Sequence, residues 1–223
     1  LQGDWSSDVC SSDLQLLAGF DAITEVPSER WDWRLFWDAN PQAPDRTYAK
    51  IGSFVRDFRF NPRRFRVPPS VVRSMDPLQQ LTLEAAADAL EDAGYGPERT
   101  FDRERTAVIL GNSMGGEITH AYTIRVMLPA LRKALSAGSD FAALPAGDRA
   151  RILNAYEETL KQDLPPITED SMPGELSNVV AGRVANALNL GGPNFTTDAA
   201  CASSMAGIEM AVKGLQDGEF DLA

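Results

Sequence analysis

Gly191-Gly192-Pro193-Asn194-Phe195-Thr196-Thr197-Asp198-Ala199-Ala200-Cys201-Ala202-Ser203-Ser204-Met205 is the stretch on which the reading of this 223-residue chain turns. Asn194 to Asp198 is a short run with aromatic and β-branched residues entered through Gly-Gly-Pro, the pattern of a buried strand. Met205, Ile208, Val212 and Leu215 then recur at helical spacing, and Asp217-Gly218 supplies a stop. Cys201 stands at the joint between strand and helix, flanked by Ala199, Ala200, Ala202, Ser203 and Ser204. Small neighbours are what a sharp strand-to-helix turn needs if one side chain is to stand clear.

Two readings of that cysteine stay open on the residues alone. In the first, Cys201 is a nucleophile. Backbone N–H groups at a helix start lack partners and carry partial positive charge, which favours thiolate over thiol. The same groups can hold the oxyanion formed when a thioester carbonyl is attacked. In the second, Cys201 is a small buried hydrophobe, as many free cysteines are.

Composition narrows the function classes. Apolar residues make up 43% and charged residues 24%, the balance of a soluble globular chain rather than a disordered one. No apolar run approaches the roughly 18 residues of a membrane span, so no membrane partner is expected. A net charge of −11 argues against nucleic acid, which needs a concentrated basic face. Cys10 and Cys201 form no CxxC pair and His120 is the sole histidine, so no metal site is expected and a reducing, cytoplasmic setting fits.

Upstream, Leu1 to Gln15 has neither an initiator Met nor a signal-peptide pattern, and it repeats itself as Ser6-Ser7-Asp8 and Ser11-Ser12-Asp13. Residues 1–15 therefore read as a non-native joining scar or a polar disordered tail, with Cys10 inside it, and the domain proper as 16–223. Trp31, Trp33, Phe36 and Trp37 lack a basic surround, which favours packing over stacking on bases. Ile51 to Phe60 reads as extended structure. Arg63, Arg64, Arg66 and Arg73 form a local basic cluster; ordinary surface pairing is favoured over steering of an acidic partner.

Asp76-Pro77 opens the clearest helix, with Asp76 as N-cap, Pro77 at the first helical position and Gly94 as the stop. Leu78, Leu81, Ala85 and Ala89 form its expected buried stripe, with Glu84, Asp88 and Glu91 outward. Thr106 to Leu110 is a short strand followed by Gly111-Asn112-Ser113-Met114-Gly115-Gly116, which matches neither a P-loop nor a dinucleotide fingerprint. Loops leaving the carboxyl ends of parallel strands are nevertheless where ligands bind. Residues 117–175 read as a helical excursion broken near Gly138 and Pro145, closed by a loop containing Met172-Pro173-Gly174. His120, without acidic or cysteine neighbours, is incidental. A helix over Leu176 to Leu190, with Val179, Val180, Val184 and Leu188 on one side, delivers the chain to the Cys201 strand.

Asp198-Ala199-Ala200-Cys201-Ala202-Ser203-Ser204 resembles the active-site signature of β-ketoacyl synthases, the condensing enzymes of fatty-acid and polyketide assembly. Asp21-Ala22-Ile23-Thr24-Glu25-Val26-Pro27 with Arg30-Trp31-Asp32, Met75-Asp76-Pro77-Leu78-Gln79-Gln80 with Ala89-Leu90-Glu91-Asp92-Ala93-Gly94, and Asn178-Val179-Val180-Ala181-Gly182-Arg183 resemble further landmarks of the large multidomain ketosynthases, in the same order. The resemblance runs from about Leu16 to Ala223 and is nearest to polyunsaturated-fatty-acid and iterative polyketide synthases.

The resemblance implies an α/β fold of the thiolase type, two similar halves layered α/β/α/β/α, of which this chain would be the N-terminal half, incomplete at both ends. The family's first strand is missing where Leu1 to Gln15 stands, and its two catalytic histidines, which follow the cysteine, are absent from the chain. Cys201 would accept the acyl group and lend its N–H to the oxyanion hole, and Met114 would gate the acyl pocket. Malonyl-carrier would then be decarboxylated and the chain lengthened by two carbons. No cofactor is expected to be bound. Substrates would arrive on the phosphopantetheine of an acyl carrier protein or domain, and the full domain would be a homodimer. Two alternatives remain: a thiolase-like acyltransferase or initiation domain using the same cysteine, and an inactive dimerisation or interaction module.

Overall fold

The computed structural model describes residues 17–95 and 99–223; the segment 1–15 with Cys10, and the expectation attached to it, lie outside the described residues. The chain divides into two compact units at Arg59 and Phe60.

In the smaller unit, strands β1 (Thr24–Glu25) and β2 (Ile51–Gly52) pair antiparallel, Thr24 opposite Gly52 and Glu25 opposite Ile51. The extended stretch expected from Ile51 to Phe60 shrinks to these two strand residues, and Ile51 and Val55 are exposed. Alternation alone does not hold a strand whose apolar side chains have no layer to cover them. The aromatic rings meet one another, although Trp31 and Phe36 stay exposed. Trp31 stacks on Phe36 and Trp33 meets Trp37 edge-on, while the Lys50 ammonium sits 4.8 Å from the Trp33 ring centre.

The larger unit is built on two parallel strands, β3 (Val108–Gly111) and β4 (Asn194–Thr197), paired from Val108–Asn194 to Gly111–Thr197. The Val108 N–H donates to Pro193 O at 2.9 Å and the Ala107 N–H donates to Leu222 O at 2.8 Å. Successive N–H groups point to opposite edges of a strand. The start of β3 is therefore held on both sides.

The described residues of this unit form eight helices: α1 (Pro69–Val72), α2 (Pro77–Asp92), α3 (Ile118–Ala137), α4 (Ser139–Ala142), α5 (Ala146–Asp163), α6 (Ser171–Glu175), α7 (Ser177–Leu188) and α8 (Ser203–Gln216), of which α7 and α8 pack on the strands. The core lies between α2, α7 and one face of the strands, where Leu83, Ala87, Val108, Ala181, Val184 and Ala185 are buried together. Ile109, pointing the opposite way, meets α8 at Gly207.

Helix α2 begins as the sequence dictates, with the Asp76 carboxylate accepting the Leu78 N–H at 2.8 Å and Pro77 in the first turn. Its buried face, however, is Gln79, Leu83 and Ala87, not Leu81, Ala85 and Ala89, which are exposed. Gln79 lies inside with its Nε2 donating to Pro173 O at 2.8 Å, while its Oε1 is buried without a partner. Glu84, Asp88 and Glu91 converge on Arg64 at 2.7, 2.6 and 2.8 Å, which accounts for this arginine as a paired surface group. Burial works against the Arg64 charge, and hydrogen bonds to Asp88, Glu84 and Glu91 overcome it, so the guanidinium holds its proton more tightly than usual.

The excursion is helical as read, with breaks at Gly138 and Pro145, and Arg132 of α3 bonds Glu157 of α5 at 3.1 Å. Met172-Pro173-Gly174 is not a loop but part of α6, because a proline in a helix's first turn forfeits only an N–H that would have no helical partner there. In α7 the buried residues are Val180, Ala181, Val184 and Ala185, whereas Val179 and Leu188 are half-covered; Asn189, left-handed at φ 54°, ends the helix.

Helix α8 forms where the spacing and the Asp217-Gly218 stop placed it, and its apolar residues face outward. Met205, Ile208, Val212 and Leu215 are 67, 56, 47 and 42% exposed, and the buried residues are Ser203, Gly207 and Gly214. β4 is likewise half-buried rather than buried.

Candidate functional site

The carboxyl ends of β3 and β4 lie side by side, because the two strands are parallel and in register. Each continues into a loop: Asn112 to Glu117 from β3, and Asp198 to Ala202 from β4. Cys201 and Met114, distant in sequence, thus leave the same edge of the sheet.

Residues Ala200–Ala202 form a single 3-10 turn between β4 and α8, and Cys201 at its centre is exposed. Of the two packing states considered for this cysteine, the buried one is not adopted. Three hydrogen bonds involving side chains shape the turn. The Ala200 N–H donates to Asp198 Oδ1 at 2.9 Å, the Ala199 N–H donates to Ser203 Oγ at 2.9 Å, and Ser203 Oγ–H donates to Ala200 O at 2.6 Å. Between these bonds Ala200 adopts φ +49°, a left-handed conformation that an L-residue with a Cβ rarely takes. The left-handed residue stands immediately before the thiol. Ala202, at the N-cap of α8, has no polar side chain with which to cap the helix.

The turn is seated by a close approach. A Cβ on Gly111, the last residue of β3, would overlap the backbone of Ser203 and Ser204, so only glycine lets the first turn of α8 rest on the end of β3. Ser203 and Gly207 continue this small-residue contact, which is why the larger side chains of α8 face away. Just beyond, the Asn112 N–H donates to Thr197 O at 3.0 Å, and its Nδ2 donates to Ser177 Oγ at 2.8 Å. Thr196 Oγ1–H donates to Ser177 O at 3.0 Å. The start of α7 therefore ties both strand ends together.

Met114 lies at the tip of the β3 loop, 93% exposed, with φ 72° followed by Gly115 at φ 71°. The loop then enters α3. The Ile118 N–H at that entry is taken by Asp76 Oδ2 at 2.8 Å, so the protein's own carboxylate, not an external phosphate, occupies this helix N-terminus. His120, in the first turn of α3, is exposed. Among the described residues no group of three His, Cys, Asp or Glu side chains could hold a metal ion, and no helix is long and apolar enough to cross a membrane. Asp76, Asn112, Ser177 and Ser203 were not singled out for the site by sequence pattern, because each acts through a backbone or long-range bond that leaves no motif.

A family model described as "Beta-ketoacyl synthase, N-terminal domain" matches residues 11–223. Over 205 residues the chain is 30% identical to one component of the polyunsaturated fatty acid synthase of Thraustochytrium sp., covering 92% of this chain and 7% of that one. It is 30% identical over 210 residues to the polyketide synthase PksL of Bacillus subtilis, covering 94% and 4%. Among solved structures, the oxazolomycin ketosynthase domain OzmH KS7 of Streptomyces albus superposes with a TM-score of 0.60 at 25% identity, over 91% of this chain and 29% of that one. The ketosynthase from module 6 of the bacillaene synthase of Bacillus subtilis gives 0.58 at 23% identity, over 92% and 26%. The fold is thus the α/β, thiolase-like one of ketosynthases, and the chain spans less than a third of each of these relatives.

Proposed function

Because the chain belongs to the β-ketoacyl synthase family, we propose that Cys201 is the thiol loaded with an acyl group before chain extension. The observation that carries this is the exposed thiol on a 3-10 turn entered through left-handed Ala200 at the carboxyl end of β4. In loading, Cys201 Sγ attacks the carbonyl carbon of an acyl thioester borne on the phosphopantetheine of a carrier protein or domain. The carrier's C–S bond breaks, and the departing sulfur takes the proton that Cys201 gives up. The N–H of Cys201 supports the oxyanion between these events.

In extension, a malonyl thioester releases its carboxylate as carbon dioxide, and the electron pair left behind attacks the acyl carbonyl. The bond to Cys201 Sγ breaks, and the acyl chain leaves two carbons longer. Met114 governs which acyl groups reach the thiol. No bound cofactor takes part, and the working enzyme is a cytoplasmic homodimer served by carrier domains. Decarboxylation draws on histidines; the one histidine of these 223 residues, His120, has no part in it. These residues alone therefore load an acyl group without condensing it.

The test is intact-mass analysis with an acyl thioester and a malonyl thioester, together with measurement of released carbon dioxide. The expected result is one acyl adduct, abolished in Cys201→Ala, with no carbon dioxide above background. A folded sample that never acquires the adduct overturns the assignment of Cys201, and sustained condensation overturns the division of labour.

A further inference from the structure

Met114 sits on a loop that is tied at both ends and left-handed in the middle. At the start, Asn112 is bonded to Thr197 O and Ser177 Oγ. At the other end everything converges on one buried carboxylate, that of Asp76, which is 3% exposed. Its Oδ1 accepts the Leu78 N–H at 2.8 Å and caps α2, while its Oδ2 accepts the Ile118 N–H, also at 2.8 Å, at the entry to α3. Gly116 lies flat against the same carboxylate, where a Cβ would overlap it. The Asp76 N–H in turn donates to Gly174 O at 3.0 Å, so this anchor is itself tied to α6. Between the two fixed ends only Met114 and Gly115 are left-handed, and the Met114 side chain stands in solvent.

A short loop clamped at both ends has its tip position set by the clamps. We infer that Asp76 is a positioning residue for Met114: by holding Gly116 and Ile118, it fixes how far the loop tip reaches over the edge that carries Cys201, and so which lengths of acyl chain are loaded. This rests on Met114 being the acyl gate.

Asparagine and serine cap helices about as well as aspartate, so Asp76→Asn and Asp76→Ser both keep α2 capped. Each loses the second acceptor arm. Asn turns an NH2 toward the Ile118 N–H, donor against donor, and Ser has a single oxygen. The experiment compares these variants and Met114→Ala with the unaltered 223-residue chain. It measures Cys201 acylation by butyryl and dodecanoyl thioesters, thermal melting, and deuterium uptake over residues 112–118. The expected result is that Met114→Ala and both Asp76 variants shift the ratio of the two acylation rates by about fivefold, the scale of one lost buried hydrogen bond. Faster deuterium uptake at 112–118 is expected in the Asp76 variants, with α2 still protected.

An unchanged ratio in the Asp76 variants beside a shifted one in Met114→Ala overturns the inference and leaves the gate standing. No shift in any variant removes the gate and the inference with it. A shift in the Asp76 variants alone shows that they do not act through Met114, which overturns it too. If neither Asp76 variant folds, Asp76 is a stability residue and the inference is likewise overturned.

Discussion

The two faces of the β3–β4 pair are covered in opposite ways. On one, α2 and α7 gather Leu83, Val184 and Ala181 into one buried cluster with Val108. On the other, α8 touches the strands through Ser203 and Gly207, and holds Met205, Ile208, Val212 and Leu215 away from them. Both helices show apolar residues at helical spacing. That periodicity identifies a helix, but it does not say which face the nearest sheet receives. On the α7 side apolar bulk supplies stability. On the α8 side closeness sets geometry, because the thiol turn has to rest on the end of β3.

The contrast can be broken most forcefully at Leu83. Leu83→Ala should cost about 2–5 kcal/mol, read as a shift in the denaturant midpoint at constant m-value. A smaller effect is expected at the opposite face from Gly111→Ala, about 1–3 kcal/mol from overpacking against Ser203. That variant should lose Cys201 acylation out of proportion to stability, because the added methyl displaces the turn, and mass analysis at a temperature well below the melt separates the two. Ile208→Ser should change stability by no more than about 0.5 kcal/mol while lowering self-association, since an exposed apolar stripe of this kind promotes it. Light scattering together with a melt checks this; an Ile208→Ser cost matching that of Leu83→Ala would mean that the outer face of α8 is covered and that the contrast fails.

The smallest effect belongs to the excursion. Lys161, and then Arg132, hold the Glu157 carboxyl below its ordinary range. A depressed carboxyl contributes stability above its unfolded value and loses it as pH falls through the folded one. The α3–α5 pairing should therefore loosen first under acid, as faster hydrogen exchange there, and Glu157→Gln should remove that pH dependence while barely moving the melt at neutral pH.

Much of this was legible in the sequence because it is local. Asp76-Pro77 and the apolar text after it fix the start of α2, Gly138 and Pro145 break the excursion, and the small residues around Cys201 mark the turn. What was illegible depends on partners far along the chain. Gln79 lies inside, bonded to Pro173 O, which no period in α2 encodes. The second role of Asp76 depends on Ile118, and the close seating of α8 depends on Gly111. Ile51 to Phe60 had the alternation of a strand without a neighbour long enough to pair with it.

Ala200 has a consequence of a different kind. A left-handed alanine costs on the order of 1–3 kcal/mol and persists only where its surroundings over-determine it, as the bonds from Asp198 and Ser203 do here. That cost is met when the chain folds, so the backbone that carries the thiol is already set in the free chain. For the acylation proposed at Cys201, ordering entropy that would otherwise slow each encounter would thereby be removed. Replacing Ala200 with glycine would relax the strain and return some of that entropy to the proposed loading step.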